Sequence, residues 1–288
     1  MFNSTTMMDF LLMDIPGMQD LQVFYAMFSL VYLVTIMGNL IIAAVTTLDK
    51  SLHLPMYFFL RNLSIPDSCY ISVTVPNSCM NYLLGTRSIS KARCAAQVFL
   101  VVFFGFVEVL FLNFIVHDCF AAICRPLHYP VIMSPHLPVH STLAAVLSGI
   151  IYGALHTINT FRLPFCHSHA VQQLFCEIPS LLMLSCSDTF SNQIANLVSA
   201  LVIGGGCFVY IMKSYIHIFS TVLRFPGVTE RKKAFSTCAP HILMVSVFLS
   251  SSFYVYLRPS AMSSGVKDMV LSMFYYVIPP SSILLSRV

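Results

Sequence analysis

Residues 23–47 read VFYAMFSLVYLVTIMGNLIIAAVTT, and none of them carries a formal charge. Wound as a helix at about 1.5 Å per residue, the stretch is long enough to cross the ~30 Å hydrocarbon core of a bilayer. In lipid the backbone must satisfy its own polar groups, which selects a helix. The residue-by-residue alternation of a membrane β-barrel strand is absent.

Six further apolar stretches follow: 55–82, which carries Arg61 and Asp67; 95–116, which carries Glu108; 139–161; 194–219, with Lys213 near its end; 239–257; and 269–286. The composition of the whole chain agrees. Of 288 residues 57% are apolar and only 9% charged, with a mean hydropathy of +0.82, against about 25% charged in a soluble domain. These values exclude a disordered tail, a collagen-like fibre and a basic nucleic-acid binder, and argue against a soluble enzyme. The expected fold is an all-α membrane protein: residues 1–288 form a single seven-transmembrane helix bundle. The one sizeable loop is 162–192.

The placement of Lys and Arg sets the orientation. With the N-terminus outside and the C-terminus inside, the inner face receives Lys50, Arg61, Arg125, Lys213, Arg224, Arg231, Lys232, Lys233 and Arg287. The outer face receives Arg87, Lys91, Arg93, Arg162, Arg258 and Lys267. The bias runs in the expected direction, most clearly at Arg231–Lys233. The N-terminal segment lacks the positive region of a signal peptide. It carries an N-glycosylation sequon at Asn3-Ser4-Thr5, consistent with an outside location. The net charge of +4 is too small to imply a nucleic-acid partner.

Cys94, at the outer start of the third span, and Cys166, Cys176 and Cys186, in the loop, lie on the oxidising side and fit two disulfides. Four cysteines leave three pairings open. The other six read as small apolar residues. Cys166, His167 and His169 have no second pair at finger spacing, so no metal centre is expected. No cofactor is expected either, because nucleotide loops, dinucleotide fingerprints, HExxH and catalytic triad spacings are missing. Gly204-Gly205-Gly206, inside the fifth span, reads as close helix packing or local softness. Asp67 and Glu108 are carboxyl groups at membrane depth, where such groups face a bundle interior or a wet cavity. Asn39 lies at a depth comparable to that of Asp67. The cluster either binds an ion or water and mediates a helix shift, or holds a neutral carboxyl that fastens helices. A transporter or channel using Asp67 and Glu108 is the remote alternative; it lacks repeat symmetry and a polar pore.

Several strings, taken in order, resemble one family: Gly38-Asn39; His53-Leu54-Pro55-Met56-Tyr57-Phe58-Phe59-Leu60; Ala122-Ile123-Cys124-Arg125-Pro126-Leu127-His128-Tyr129; Ser214-Tyr215; and Lys233-Ala234-Phe235-Ser236-Thr237-Cys238, with His241 beyond. Over about residues 20–280 the chain is similar to the odorant (olfactory) receptors, a branch of the rhodopsin-like G-protein-coupled receptors. The resemblance implies a plasma-membrane receptor that binds small volatile, mostly apolar molecules between its helices. It would signal through a heterotrimeric stimulatory G protein to cyclic AMP. It also implies disulfides Cys94–Cys176 and Cys166–Cys186. Matched by spacing, the family's ligand positions fall at Val101, Val102 and Gly105, at Ser199 and Ile203, and at Ser252, Phe253 and Tyr256. Activation and coupling fall to Asn39, Asp67, Asp118, Cys119 and Tyr215.

The chain also departs from the family. Where the family has Met-Ala-Tyr-Asp-Arg-Tyr, this sequence has Ile115-Val116-His117-Asp118-Cys119-Phe120. A neutral thiol cannot replace a forked cation, and Asp118 loses its expected arginine partner. Phe248-Leu249-Ser250 stands where Phe-Tyr-Gly is common. Pro66 precedes Asp67 and is expected to kink the second helix. After Pro279-Pro280 the family continues with Asn-Pro-x-x-Tyr and a short amphipathic helix, whereas here the sequence runs Ser281 to Val288. These departures support a second reading: a decayed, non-signalling receptor copy retained in the endoplasmic reticulum.

Overall fold

The computed structural model describes residues 9–12, 21–48, 55–84, 88–134, 136–165, 170–171, 176, 178–185 and 190–224, and short pieces between 227 and 246. Five long helices account for most of them: α1 (Leu21–Leu48), α2 (Pro55–Leu84), α3 (Lys91–Cys124), α4 (Leu137–Phe161) and α5 (Phe190–Val222). Pieces of the sixth span, at His241–Ile242 and Val245–Ser246, are helical. The rest of that span and the whole seventh stretch lie outside the described residues.

The third helix is the axis of the bundle, with α2, α4 and α5 all packed on it and α1 packed on α2. Ser90 caps its N-terminus, its Oγ accepting the Arg93 N–H at 3.3 Å. It runs about two turns past the apolar stretch that ends at Val116, because Asp118, Cys119 and Ala121 are buried against neighbouring elements. The packing has three parts. Phe59 and Leu63 of α2, Phe111 and Ile115 of α3, and Ile211, Tyr215 and Ile218 of α5 fill the inner half, with Val245 from the sixth span. Tyr25 and Phe28 of α1 meet Tyr70, Ile71 and Val75 of α2. Ile89, Cys94, Val98, Cys176, Leu181 and Leu182 form the outer part.

Four described helices are long and apolar enough to cross a membrane: Tyr25–Leu48, Lys91–Cys124, Leu137–Phe161 and Ser191–Val222. Their outward faces confirm the solvent. Leu30, Val34 and Met37 of α1, Ile151 and Leu155 of α4, and Val202 and Val209 of α5 are all more than half exposed. A soluble monomer rarely shows so large a contiguous apolar surface. The second helix is richer in polar side chains, and it turns many of them on its own backbone. Asn62, Ser64, Ser68 and Ser72 each donate to the carbonyl four residues earlier. Pro66 and Pro76 are taken up within a continuous α2.

α4 approaches α3 through glycine. A Cβ built at Gly149 would lie 2.8 Å from Val107 Cγ2, and one at Gly153 would lie 3.2 Å from the Phe99 ring and backbone oxygen. Ala145 is buried one turn earlier, so small residues four apart line the contact. Gly204, Gly205 and Gly206 behave differently: among the described residues nothing lies within 4 Å of a Cβ at any of them.

The outer end carries structure that an all-α reading does not include. Asp9–Leu12 (β1) is the central strand of a three-stranded sheet, antiparallel to Ser88–Ser90 (β2) and parallel to Ala170–Val171 (β3). The loop 162–192 is likewise not featureless. It holds β3, a bridge between Phe165 and Ser185, the short helix Ile178–Met183 and the first turn of α5. The backbone of these outer segments thereby finds hydrogen-bond partners.

Candidate functional site

The outer loop is fastened to α3 by a disulfide between Cys94 and Cys176, with Cα atoms 5.5 Å apart. Gln97 reinforces it: its Oε1 accepts the Cys176 N–H at 3.2 Å, and its Nε2 donates to the Val73 carbonyl of α2 at 3.3 Å. Cys166, Cys186 and Asn3 lie outside the described residues.

Below this cap the expected ligand positions separate. Val101 packs with Phe104 against the Tyr70 cluster of α2, and Tyr70 is also the nearest neighbour of Gly105, 3.9 Å from a Cβ built there. Val102 packs under the outer loop with Cys94, Cys176 and Leu181. Ile203 is half-buried on α5. Ser199 is engaged by α4: Tyr152 Oη lies 3.2 Å and His156 Nε2 3.3 Å from its Oγ. His156 Nδ1 is 2.8 Å from Asn196 Oδ1. Tyr152 in turn stacks on Phe106, centroids 4.6 Å apart. Ser252, Phe253 and Tyr256 are outside the described residues.

Deeper in the bundle, Asp67 is fully buried, and neither carboxylate oxygen has a hydrogen-bond partner among the described residues. Glu108, also buried, is near enough to interact with it electrostatically. Asn39 is buried on α1 and donates to the Thr35 carbonyl at 3.1 Å. Two carboxyl groups in a low-dielectric interior need a compensating proton or cation. Among the described residues no three His, Cys, Asp or Glu side chains converge as a transition-metal site would require.

At the inner end Asp118 has acquired another partner. The Tyr129 hydroxyl, on the short helix Tyr129–Ile132, donates to Asp118 Oδ1 at 2.8 Å. Burial, with the Asp118 carboxylate beside it, pushes the Tyr129 phenol above the ordinary tyrosine range. The loss of arginine at position 119 thus does not orphan the aspartate. Cys119 is buried in the inner core. His117 Nδ1 and Tyr210 Oη, 2.6 Å apart, tie α3 to α5. Tyr215 Oη and His241 Nδ1, also 2.6 Å apart, tie α5 to the sixth span. Tyr129→Phe is expected to cost about 1.5–3 kcal/mol, the range for a hydrogen bond to a charged group. Thermal unfolding of the purified variant checks this; an unchanged midpoint would mean that water serves Asp118 equally well.

Sequence reasoning missed three features. Gly149 and Gly153 could have been found from their G-x-x-x-G spacing in an apolar stretch. His156 and Asn196, polar side chains in two apolar spans, carried the signal of a pair at membrane depth. Tyr129 carried none, since nothing in its spacing says that it folds back on Asp118.

Comparison with known proteins agrees with this architecture. The family model described as olfactory receptor matches residues 28–284. Human olfactory receptor 14C36 is 61% identical over 279 residues, covering 96% of this chain and 89% of that one. Human olfactory receptor 14J1 is 43% identical, covering 98% and 88%. A crystal structure of squid rhodopsin superposes with a TM-score of 0.68 at 17% identity, over 96% of this chain and 86% of that one, and so shares the seven-helix fold. The polar and carboxyl clusters described above thus sit in a receptor rather than an enzyme. The chain is a multi-pass membrane protein that belongs to the olfactory receptor family.

Proposed function

We propose that this receptor works at the plasma membrane, takes small, volatile, mostly apolar odorants between its helices, and signals through a stimulatory G protein to cyclic AMP. The ligand contacts are Val101, Val102, Gly105 and Ile203 with Ser252, Phe253 and Tyr256 of the sixth span, an apolar lining suited to a small hydrophobic molecule. Ser199 shapes the site from behind.

The observation that carries the coupling half is the inner loop after α3. It is folded into a 3₁₀ turn, Pro126–His128, and the helix Tyr129–Ile132. Tyr129 anchors it to Asp118, and it presents Leu127 and Val131 at 91% and 79% exposure. Two apolar side chains held out on the inner face of an ordered loop suit a protein partner there. Asn39, Asp67 and Tyr215, with His241, form the interior relay between ligand and loop. The Asp67–Glu108 pair holds a monovalent cation or a shared proton whose release accompanies the helix shift. Asp67→Asn is therefore expected to abolish any rise in melting temperature that sodium chloride produces over choline chloride. Equal sodium responses in both proteins would remove the ion from the account.

Two smaller assignments complete the reading. Cys166 and Cys186 form the second disulfide, supported by the Phe165–Ser185 bridge, which aligns the residues just before them. Asn3 carries a glycan.

A second reading, a non-signalling copy held in the endoplasmic reticulum, rests on Cys119 at the arginine position. One assay separates the two. The unmodified chain and Cys119→Arg are expressed with a surface tag and challenged with an odorant panel while cyclic AMP is read. An odorant-evoked rise from the unmodified chain is the expected result. A response confined to Cys119→Arg would establish the non-signalling copy instead.

A further inference from the structure

Ser199 is the one hydroxyl among the third- and fifth-helix ligand positions, and Tyr152, His156 and the Asn196 carbonyl all lie within hydrogen-bond reach of its Oγ. Asn196 Oδ1 can only accept, so His156 Nδ1, 2.8 Å away, carries the ring hydrogen. Nε2 is then a bare acceptor, and Ser199 Oγ, at 3.3 Å, is the group that faces it. With that proton turned toward Nε2, the Tyr152 hydroxyl, 3.2 Å from the same oxygen, is left to donate to it. The chain runs from Tyr152 through Ser199 to His156 and on to Asn196, and the serine proton is shared between His156 Nε2 and the Asn196 backbone carbonyl, 2.9 Å from Oγ. All four side chains are half-buried, and α4 and α5 make few other contacts in this region.

We propose that His156 is a specificity-determining residue that never touches the odorant. By accepting the Ser199 proton it withholds that hydroxyl from the ligand and keeps the fifth-helix side of the site apolar. The inference rests on the odorant reading given above. An odorant seeking the Ser199 proton would have to leave Nε2 unpaired in an apolar interior, a cost that cancels the bond gained. Without the imidazole the balance changes. Among the described residues the Asn196 carbonyl, 2.9 Å from Oγ, then takes the serine proton; it is a helix carbonyl three residues back. That weak local bond exchanges readily for one to a ligand. The native receptor therefore ranks odorants by shape and apolar area, and loss of His156 adds a preference for hydroxyl and carbonyl groups.

The test uses the full chain in detergent. His156→Phe, Ser199→Ala and the double variant are melted without ligand, then with medium-chain 1-alkanols and alkanes of matching length. Without ligand, the double variant should lose no more stability than the worse single one; additive losses would show that the Ser199–His156 bond is not formed. With ligand, His156→Phe should gain about tenfold in apparent affinity for alkanols over alkanes, the worth of one hydrogen bond. Ser199→Ala in that background should abolish the gain, and His156→Gln, which keeps an acceptor, should behave as the native chain. His156→Met serves the same comparison should the phenyl ring fail to fit. A changed ratio in Ser199→Ala alone would put Ser199 in contact with the odorant and overturn the proposal. Protection of no variant by any compound, the wider odorant panel included, would overturn the odorant reading and the specificity role with it, leaving only the ligand-free coupling.

Discussion

Cys94→Ser should remove about 4–5 kcal/mol of folding stability, near the top of the range for a single disulfide. The bridge spans 82 residues of sequence, so its loss returns a large loop entropy to the unfolded chain. It is also embedded. Cys94 and Cys176 are at most 2% exposed, within the cluster that holds Ile89, Leu181 and Leu182. Releasing Cys176 loosens its amide from Gln97, and with it the tie from α3 to Val73 of α2. The variant should give little monodisperse protein and melt well below the native chain, and a strong reductant should reproduce the effect. A native melting curve for Cys94→Ser would show that the loop is held by its backbone alone.

Gly149→Leu should be nearly as damaging. Its first side-chain atom would already lie 2.8 Å from Val107 and 3.0 Å from Phe103. Val107 is 1% exposed on α3, against which α2, α4 and α5 all pack. The neighbours cannot give way without moving that axis, so α4 must back off. Overpacking of this kind costs typically about 1–3 kcal/mol, and leucine lies at the upper end. In lipid no solvent-driven force pulls the separated helices back, since association rests on close packing. Gly205→Ala is the matched control. Nothing described lies near its Cβ, and alanine favours a helix over glycine by about 0.5–1 kcal/mol. Gly205→Ala should therefore melt at or above the native temperature and Gly149→Leu far below it. Equal behaviour would mean that the α3–α4 contact is not tight.

What was legible in the sequence follows from which forces leave a linear trace. The uncharged run at 23–47 is long because the hydrocarbon core is thick, so membrane helices and the all-α class could be read directly. The alternation of small residues at Gly149 and Gly153 was present too, but it gains meaning only beside Phe99, Phe103 and Val107 of another helix. The reach of α3 to Cys124 was hidden, because its last two turns are held by contacts rather than by hydropathy. The strand Asp9–Leu12 was hidden for a similar reason: its partners at 88–90 and 170–171 are distant in sequence, and their pairing is set by where the helices end.

The site shows the same division. Spacing placed Ser199 on one face of its helix with Ile203, but not which neighbour that face meets. His156 and Tyr152 decide that. Motif comparison marked Cys119 as a lost cation and Asp118 as its bereft partner. The structure gives Asp118 a phenol from Tyr129, eleven residues on, through a turn that no local pattern announced. Sequence identifies which residues are unusual for their surroundings, and three-dimensional contact then assigns their partners.

The central claim is that this bundle binds volatile apolar molecules between its helices. Thermal unfolding of the purified native chain, followed across a broad odorant panel, tests it most directly. The account predicts that at least one compound raises the melting temperature in a saturable, concentration-dependent way, and that Gly105→Leu, which fills the site beside Tyr70, abolishes that rise. A panel that protects the native chain nowhere, or a rise that survives Gly105→Leu unchanged, would contradict it.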